Sequence, residues 1–317
     1  MGSGNMKKVL VFAFLSALFF SSCSSAPKRP AEIYTVQSMV ETTLTLANRE
    51  ADQGNYEDAL VLLNEAWRQA VTTDRPALRI RVNLARANSL YALGQASEAE
   101  RLWQDAESEA NYAKEPVLAS ASRVYRARSL LLSGKANPEE TLALSQKEQD
   151  MLKKDRLFTA VNWTVRGLAE KELGRYGDAE KSVLNALAIH EKDLYLEQAA
   201  YDWYLIASIR SVAENHKQAL DALDKALDFD RRAENTFGLA MNWAAMGDIY
   251  RKMGDEESAA QAWRRSAEIF RAMDKSAHAR EVEGRIRQGR RQVTTPQTRD
   301  TEQDGAPQVA GPDRSEF

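Results

Sequence analysis

Few side chains of this 317-residue sequence stand at spacings that could perform chemistry. The three histidines, His190, His216 and His278, are far apart and do not have the spacing of metal ligands. The sequence contains no glycine-rich phosphate loop, no HExxH zinc motif and no GxSxG nucleophile motif. Paired carboxylates on helices normally form solvated surfaces. We therefore predict that the protein is not an enzyme and binds neither a cofactor nor a metal.

The single cysteine, Cys23, has a setting that indicates lipid attachment. It follows the segment KKVLVFAFLSALFFSS, in which two lysines precede an apolar run of about a dozen residues. Such a run is too short to span a bilayer as a permanent helix and is typical of a cleaved signal peptide. The segment resembles a bacterial lipoprotein signal, in which the processed chain begins with a diacylated cysteine. The resemblance implies a signal peptide over residues 1–22, lipidation of Cys23 and a linker over residues 23–35; an ordinary buried or free thiol is the alternative.

Most of the remaining chain is a repeat. Glycines recur at steps of forty residues or twice forty, as Gly54, Gly94, Gly134, Gly174 and Gly254. Small residues precede each turn by seven positions, and alanines follow most turns by five and twelve positions. Two helices with small residues on either side of a glycine turn can pack closely, so each copy is predicted to be a helix hairpin, and stacked hairpins form an α-solenoid. The third copy has Glu139 and Gln146 instead of both alanines, so its interface is expected to be the weakest.

Two segments resemble the tetratricopeptide repeat. They are WTVRGLAEKELGRYGDAEKSVLNAL, from Trp163, and WAAMGDIYRKMGDEESAAQAWRRSA, from Trp243. The family unit has roughly 34 residues, and we expect the additional residues here to lengthen the second helix and the connection to the next hairpin. The predicted fold is all-α, a right-handed α-solenoid of about six tetratricopeptide-like hairpins over residues 36–275. A capping helix over residues 276–292 and a disordered tail over residues 293–317 are predicted to follow.

Three arginines at forty-residue spacing could bind an anion or form structural ion pairs. If the two helices of a hairpin face each other about the residue before the turn glycine, each arginine lies opposite a glutamate. Copies without this arginine place mainly apolar residues at the same two positions. We therefore interpret these residues as charge pairs, and an anion-binding stripe is the alternative. The predicted pairs are Arg86 with Glu100, Arg126 with Glu140, and Arg166 with Glu180.

The family resemblance also implies which residues line a partner groove. A solenoid of this kind binds partners on its concave surface, which is formed mainly by the first helix of each hairpin. Asn48 and Asn88 stand where the family often uses asparagine to bind a ligand backbone. Each groove residue could instead pack against its neighbours. The predicted partner groove comprises Asn48, Asn88, Tyr91, Arg128, Leu131, Leu168, Tyr201 and Tyr204.

Charge and localisation narrow the class of partner. The formal net charge is −3, and removal of the two signal-peptide lysines makes it −5, which argues against nucleic acid as a partner. We predict a membrane-anchored extracytoplasmic scaffold that binds a protein or peptide in an envelope assembly, secretion or transport complex. Its lipid would hold it in the bacterial cell envelope facing the periplasm, with the outer membrane favoured over the inner. The alternative is a carrier or accessory protein of a solute transport system, with a small apolar ligand inside the superhelix.

Overall fold

The structure, a computed structural model, describes residues 35–294, and this part of the chain folds into α-helices. The helices form six hairpins followed by one further helix. None of the helices between Thr35 and Thr294 is long and apolar enough to cross a membrane. The predicted signal peptide, Cys23, the linker up to residue 34 and residues 295–317 of the predicted tail lie outside the described residues. In chain order the helices are α1 Thr35–Asp52, α2 Tyr56–Thr72, α3 Pro76–Ala92, α4 Ala96–Tyr112, α5 Pro116–Leu132, α6 Pro138–Leu152, α7 Arg156–Glu172, α8 Tyr176–Lys192, α9 Leu196–Val212, α10 His216–Ala233, α11 Thr236–Lys252, α12 Glu256–Ala272 and α13 Ser276–Thr294.

Residues with left-handed backbone conformation end the helices and so set the length of the repeat. The five turn glycines have φ between 67° and 80°, and Glu214 adopts φ 63° at the equivalent turn. Most connections between hairpins use the same conformation, as at Lys114 with φ 57°. Most helices have 17 residues, so a unit consists of two equal helices and two short turns. The expectation that the additional residues lengthen the connection between hairpins is therefore wrong.

The small positions before each turn are sites of close helix contact. A Cβ atom added to Gly167 would lie 2.6 Å from Cγ2 of Val183, and one added to Gly247 would lie 2.5 Å from Cδ1 of Trp263. The alanine positions of the second helices are buried as well, with Ala59 and Ala179 at 0% exposure. Because these contacts leave no room for a larger side chain, the small residues fix the approach of the two helices in a hairpin.

The third hairpin shifts the buried face of its second helix by two residues. Asn137 caps α6 by accepting a hydrogen bond from the backbone N–H of Glu140, so the helix begins at Pro138. Glu139 and Gln146, which replace alanines in the repeat, are consequently exposed. Thr141 and Glu148 occupy the buried positions instead. The third copy therefore closes its interface with polar groups in place of alanine.

Glu148 is held in this interface by hydrogen bonds. Its carboxylate accepts from Arg123 Nε at 2.9 Å and Nη2 at 2.8 Å, and from Ser120 Oγ at 2.6 Å. The Glu148 side chain is 5% exposed, whereas that of Arg123 is 30% exposed. Arg123 also pairs with Glu107 of the preceding hairpin at 2.8 Å. One arginine thus connects α5 to the second helices on both of its sides.

The predicted charge pairing within hairpins is wrong, because the arginines face other partners. Arg126 Nε lies 2.8 Å from Glu100 Oε2, in the preceding hairpin. Arg86 also contacts the preceding hairpin, through a 3.1 Å hydrogen bond to Asn64 Oδ1. The first helix of a hairpin packs between two second helices, and its rotation directs these arginines to the earlier one. The sequence spacing predicts the position of these arginines along the helix axis, but it does not predict which neighbouring helix they face.

The third predicted pair is also replaced. Arg166 pairs with Glu170, one turn farther along its own helix, at 2.9 Å. Glu180 instead receives Arg210 from the next hairpin at 2.6 Å, and Glu140 is exposed. In the structure these arginines thus contact the preceding hairpin or their own helix.

Candidate functional site

The inner side of the curved array is identified by contacts that skip a hairpin. Arg81 of the second hairpin pairs with Asp155, at the start of the fourth, at 3.2 Å, and its guanidinium lies 5.3 Å from the ring centroid of Phe158. Arg128 of the third hairpin lies over the ring of Tyr201, in the fifth, at 5.4 Å. Such contacts are possible only inside the curve, where first helices approach one another. We call this surface the concave face.

Five predicted groove residues converge at the centre of the concave face. Tyr201 and Tyr204 stack with ring centroids 6.3 Å apart and an interplanar angle of 14°. Leu131 and Leu168 belong to the same apolar cluster as Tyr204, and all three are buried. Arg128 and Tyr201 remain partly exposed. The centre of the face therefore presents a guanidinium against an aromatic ring, an arrangement that favours cation–π contact beside apolar surface.

Asn88 and Tyr91 lie in the second hairpin, apart from this centre. Asn88 Oδ1 accepts a hydrogen bond from Trp103 Nε1 at 3.2 Å, so its carbonyl is engaged inside the hairpin. The Tyr91 hydroxyl is hydrogen-bonded to Ser133 of the next hairpin, and its ring lies 5.4 Å from that of Trp103. Both side chains are half-buried. Their described bonds join helices of the array.

Asn48 is the most accessible of the predicted groove residues. It lies on α1 and is exposed, whereas Tyr204 is 1% exposed. The predicted groove residues therefore fall into three groups by exposure. Asn48 is exposed; Asn88, Tyr91, Arg128 and Tyr201 are half-buried; and Leu131, Leu168 and Tyr204 form a buried floor. A partner on this face would contact the half-buried edges of the rings and the guanidinium, because the residues of the buried floor are part of the hydrophobic core.

A buried polar layer, which sequence reasoning missed, lies at the joints between the later hairpins. Asn162, Asp202 and Asn242 stand at exact forty-residue spacing, and each is 0% exposed. Each bonds to the preceding second helix: Asn162 donates to Ser145 O at 3.0 Å, Asp202 bonds His190 Nδ1 at 2.6 Å, and Asn242 donates to Asp230 at 2.6 Å. The forty-residue spacing of these polar residues was the signal that could have revealed the layer.

Asp202 of this layer is a buried carboxyl group that is hydrogen-bonded to the buried imidazole of His190. Burial raises the pKa of Asp202, and the hydrogen bonds from His190 and Thr164, together with the charge of Arg128, only partly oppose this effect. The Nε2 atom of His190 is buried without a hydrogen-bond partner. Two side chains do not form a metal site, and no group of three metal-ligating side chains occurs within residues 35–294.

A surface depression of about 390 Å³ lies at the turn rim of the last two hairpins. It is lined by Glu214, Asn215, His216, Lys217, Gln218 and Met253. None of these residues belongs to the predicted groove. The depression is open to solvent and lies at the turn rim, so it does not correspond to the apolar ligand site inside the superhelix that was considered from the sequence.

Comparisons with known proteins agree with this architecture. No protein-family model matches the sequence. A TPR repeat-containing protein of Methanocaldococcus jannaschii is 30% identical over 90 residues, which cover 28% of this chain and 15% of that protein. The chain thus spans well under a fifth of that relative.

Two solved structures are similar in fold. A Rap protein in complex with Competence and Sporulation Factor has a TM-score of 0.54 and 14% identity, over 82% of this chain and 78% of that one. BtubC from P. vanneervenii has a TM-score of 0.51 and 14% identity, over 85% and 98% of the two chains. At this identity the likeness concerns the fold. The described residues therefore form an all-helical solenoid with a tetratricopeptide-like fold.

Proposed function

We propose that the protein is a lipid-anchored scaffold of the bacterial cell envelope that binds a segment of a partner protein on its concave face. The observation that carries the proposal is the convergence of Arg128, Tyr201 and Tyr204 on that face. An aromatic ring beside a guanidinium offers an apolar surface and a cation to an extended chain. No nucleic acid or metal is proposed as a ligand.

The fold supports this proposal by analogy. The Rap protein of similar fold was solved in complex with Competence and Sporulation Factor. A solenoid provides a long curved surface on which a flexible segment can contact several hairpins at once. Here the half-buried and exposed residues from Asn48 to Tyr201 span the first five hairpins.

The proposed anchor is Cys23. Acyl chains on the processed N-terminus would hold the protein at the membrane, while the polar solenoid extends into the periplasm. Such a placement suits a component of an envelope assembly, secretion or transport complex, and the outer membrane is favoured over the inner.

A matched pair of arginine variants tests the partner site. The acylated protein is recovered from detergent-solubilised membranes with its partners, as the parent, as Arg128→Met and as Arg126→Met. Both arginines lie on α5, but Arg126 bonds Glu100 between hairpins whereas Arg128 lies over Tyr201 on the concave face. We expect Arg128→Met to lose a partner that Arg126→Met retains.

A photo-crosslinking amino acid locates the same contact. It is placed at Asn48, which is exposed on α1, or at Asn111, which is exposed on the second helix of the second hairpin. The partner lost by Arg128→Met should crosslink from position 48 and not from position 111. Recovery of the same partners by both arginine variants would refute the concave-face assignment, and extraction of a bound apolar small molecule in place of a protein would favour the carrier alternative.

A further inference from the structure

The first hairpin of the array touches the last two hairpins. The hairpins otherwise contact mainly their neighbours, as is usual in solenoids. However, Lys275 Nζ donates to the backbone carbonyl of Gly54 at 2.9 Å, across 221 residues of sequence. Gln198 Nε2 donates to Asp52 Oδ2 at 3.1 Å, across 146 residues. The turn of the first hairpin therefore lies against the first turn of α9 and against the loop that follows the sixth hairpin.

Arg49 adds a third link to the same region. Its guanidinium donates to the backbone carbonyl of Ala233 at 3.4 Å and lies 3.9 Å from the carboxylate of Glu234. The Glu234 side chain is 86% exposed, so this ion pair is weak. The links made by Lys275 and Arg49 are to backbone carbonyls. They therefore depend on the position of the backbone and not on the side chains of the accepting residues.

Gly54 packs closely against the ring of Phe237. A Cβ atom at Gly54 would lie 3.0 Å from the ring of Phe237, whereas a Cβ atom at Gly94, Gly134, Gly174 or Gly254 would have no heavy atom within 4 Å. Phe237 is 3% exposed and packs edge-on against Phe270, with ring centroids 5.6 Å apart. The turn of the first hairpin thus packs against a buried part of the C-terminal core.

We propose that this contact is a latch that closes the superhelix by joining its two ends. It consists of a few hydrogen bonds and one ring contact, so it can open without unfolding either hairpin. Because the two ends are joined across the curve, release of the latch separates them and widens the concave face. The latch would therefore control how much of that face is accessible, whatever ligand the face binds.

Distance measurement between two spin labels tests the latch. The labels are attached at Asp58→Cys, beside the first turn, and at Ala277→Cys, at the start of α13, in a full chain carrying Cys23→Ser; both sites are exposed. In the parent we expect a short and narrow distance distribution. No ligand is needed, so the result does not depend on the proposed function.

Two glycine variants provide a matched comparison. Gly54→Asn and Gly94→Asn introduce the same side chain at φ 71° and φ 77°, so they impose similar backbone strain. Only the first meets Phe237. We expect Gly54→Asn to shift the distribution to longer distances and to broaden it, while Gly94→Asn retains the distribution of the parent.

Lys275→Met serves as a second variant, because it removes the bond to Gly54 without straining the turn. It should lengthen the distances in the same direction, even if Gly54→Asn does not fold. A broad distribution in the parent, or distributions that are the same for Gly54→Asn and Gly94→Asn with no change in Lys275→Met, would overturn the latch.

Discussion

The contact between Arg123 and Glu148 gives the sharpest test of how the third hairpin is held. Replacement of Arg123 by Met would leave the buried carboxylate with Ser120 as its remaining partner. Removal of one partner of a buried ion pair costs about 3–5 kcal/mol. Because the Arg123 side chain is 30% exposed, water screens part of the interaction, and we expect a loss of about 2–3 kcal/mol in the free energy of unfolding. This corresponds to a fall of roughly 5–10 °C in melting temperature for a chain of this size.

The double variant Arg123→Met/Glu148→Ala should recover most of this loss. It removes the buried carboxylate and gives the third hairpin an alanine, as Ala106 and Ala186 provide in neighbouring hairpins. Replacement of a buried ion pair by apolar groups is often neutral or stabilising. Arg101→Met is the control, because Arg101 is 65% exposed and its pairing with Glu98 spans 3.8 Å, so little change is expected.

The pH dependence provides an independent check. Burial alone would raise the pKa of Glu148, but hydrogen bonds from Arg123 and Ser120 together hold that pKa below its ordinary value. The stabilisation from Glu148 is therefore present above the ordinary carboxyl pKa and is lost as the pH falls below it. The difference in melting temperature between the parent and Arg123→Met should shrink as the pH falls through that range. A coupling energy of zero between the two positions, or a difference that does not change with pH, would refute this account.

Four further predictions follow from the sequence and the fold. Cys23→Ser should move the protein from the membrane fraction to the soluble fraction and abolish labelling by palmitate; persistent labelling would contradict lipidation at this residue. Asp202→Asn should gain melting temperature relative to the parent as the pH rises from about 4 to about 8, because the parent loses stability when the raised pKa of Asp202 is crossed; a constant difference would count against it. Glu140→Leu should leave the melting temperature nearly unchanged, whereas Glu100→Leu, which frees Arg126, should lower stability by up to about 1 kcal/mol; equal effects would contradict the observed pairing. Hydrogen exchange should be earliest around residues 120–150, and uniform protection would show that the third hairpin is no weaker than the others.

The repeat and its hairpins could be predicted because their causes are local in the sequence. A left-handed turn residue and a small residue at fixed distances determine where two helices start, stop and touch, as at Gly174 and Gly167. The start of α6 could have been predicted in the same way. Asn137 followed by Pro138 is a helix start signal, and it indicates the two-residue shift that the plain forty-residue alignment overlooks.

Other features depend on how the hairpins stack on one another, and the residues around each turn do not determine this stacking. Arg126 faces Glu100 because its helix is rotated toward the preceding hairpin. Tyr204 was assigned to the groove, yet it is 1% exposed because first helices converge at the centre of the curve. Curvature arises from small rotations summed over several hairpins, so the depth of a groove residue could not be derived from its repeat position.

The buried polar layer limits how this array can change its length in evolution. Repeat proteins gain and lose whole units through recombination between similar segments of their genes. The second helix that carries Ala110 where another carries His190, if transferred to the place before Asp202, would leave that buried carboxyl without the imidazole, at a cost in stability. The earlier joints, where Ala70 and Ala110 are fully buried, carry no such requirement at these positions. Duplication or loss of hairpins is therefore expected near the N-terminal end, and the number of C-terminal hairpins should stay constant among descendants of this gene.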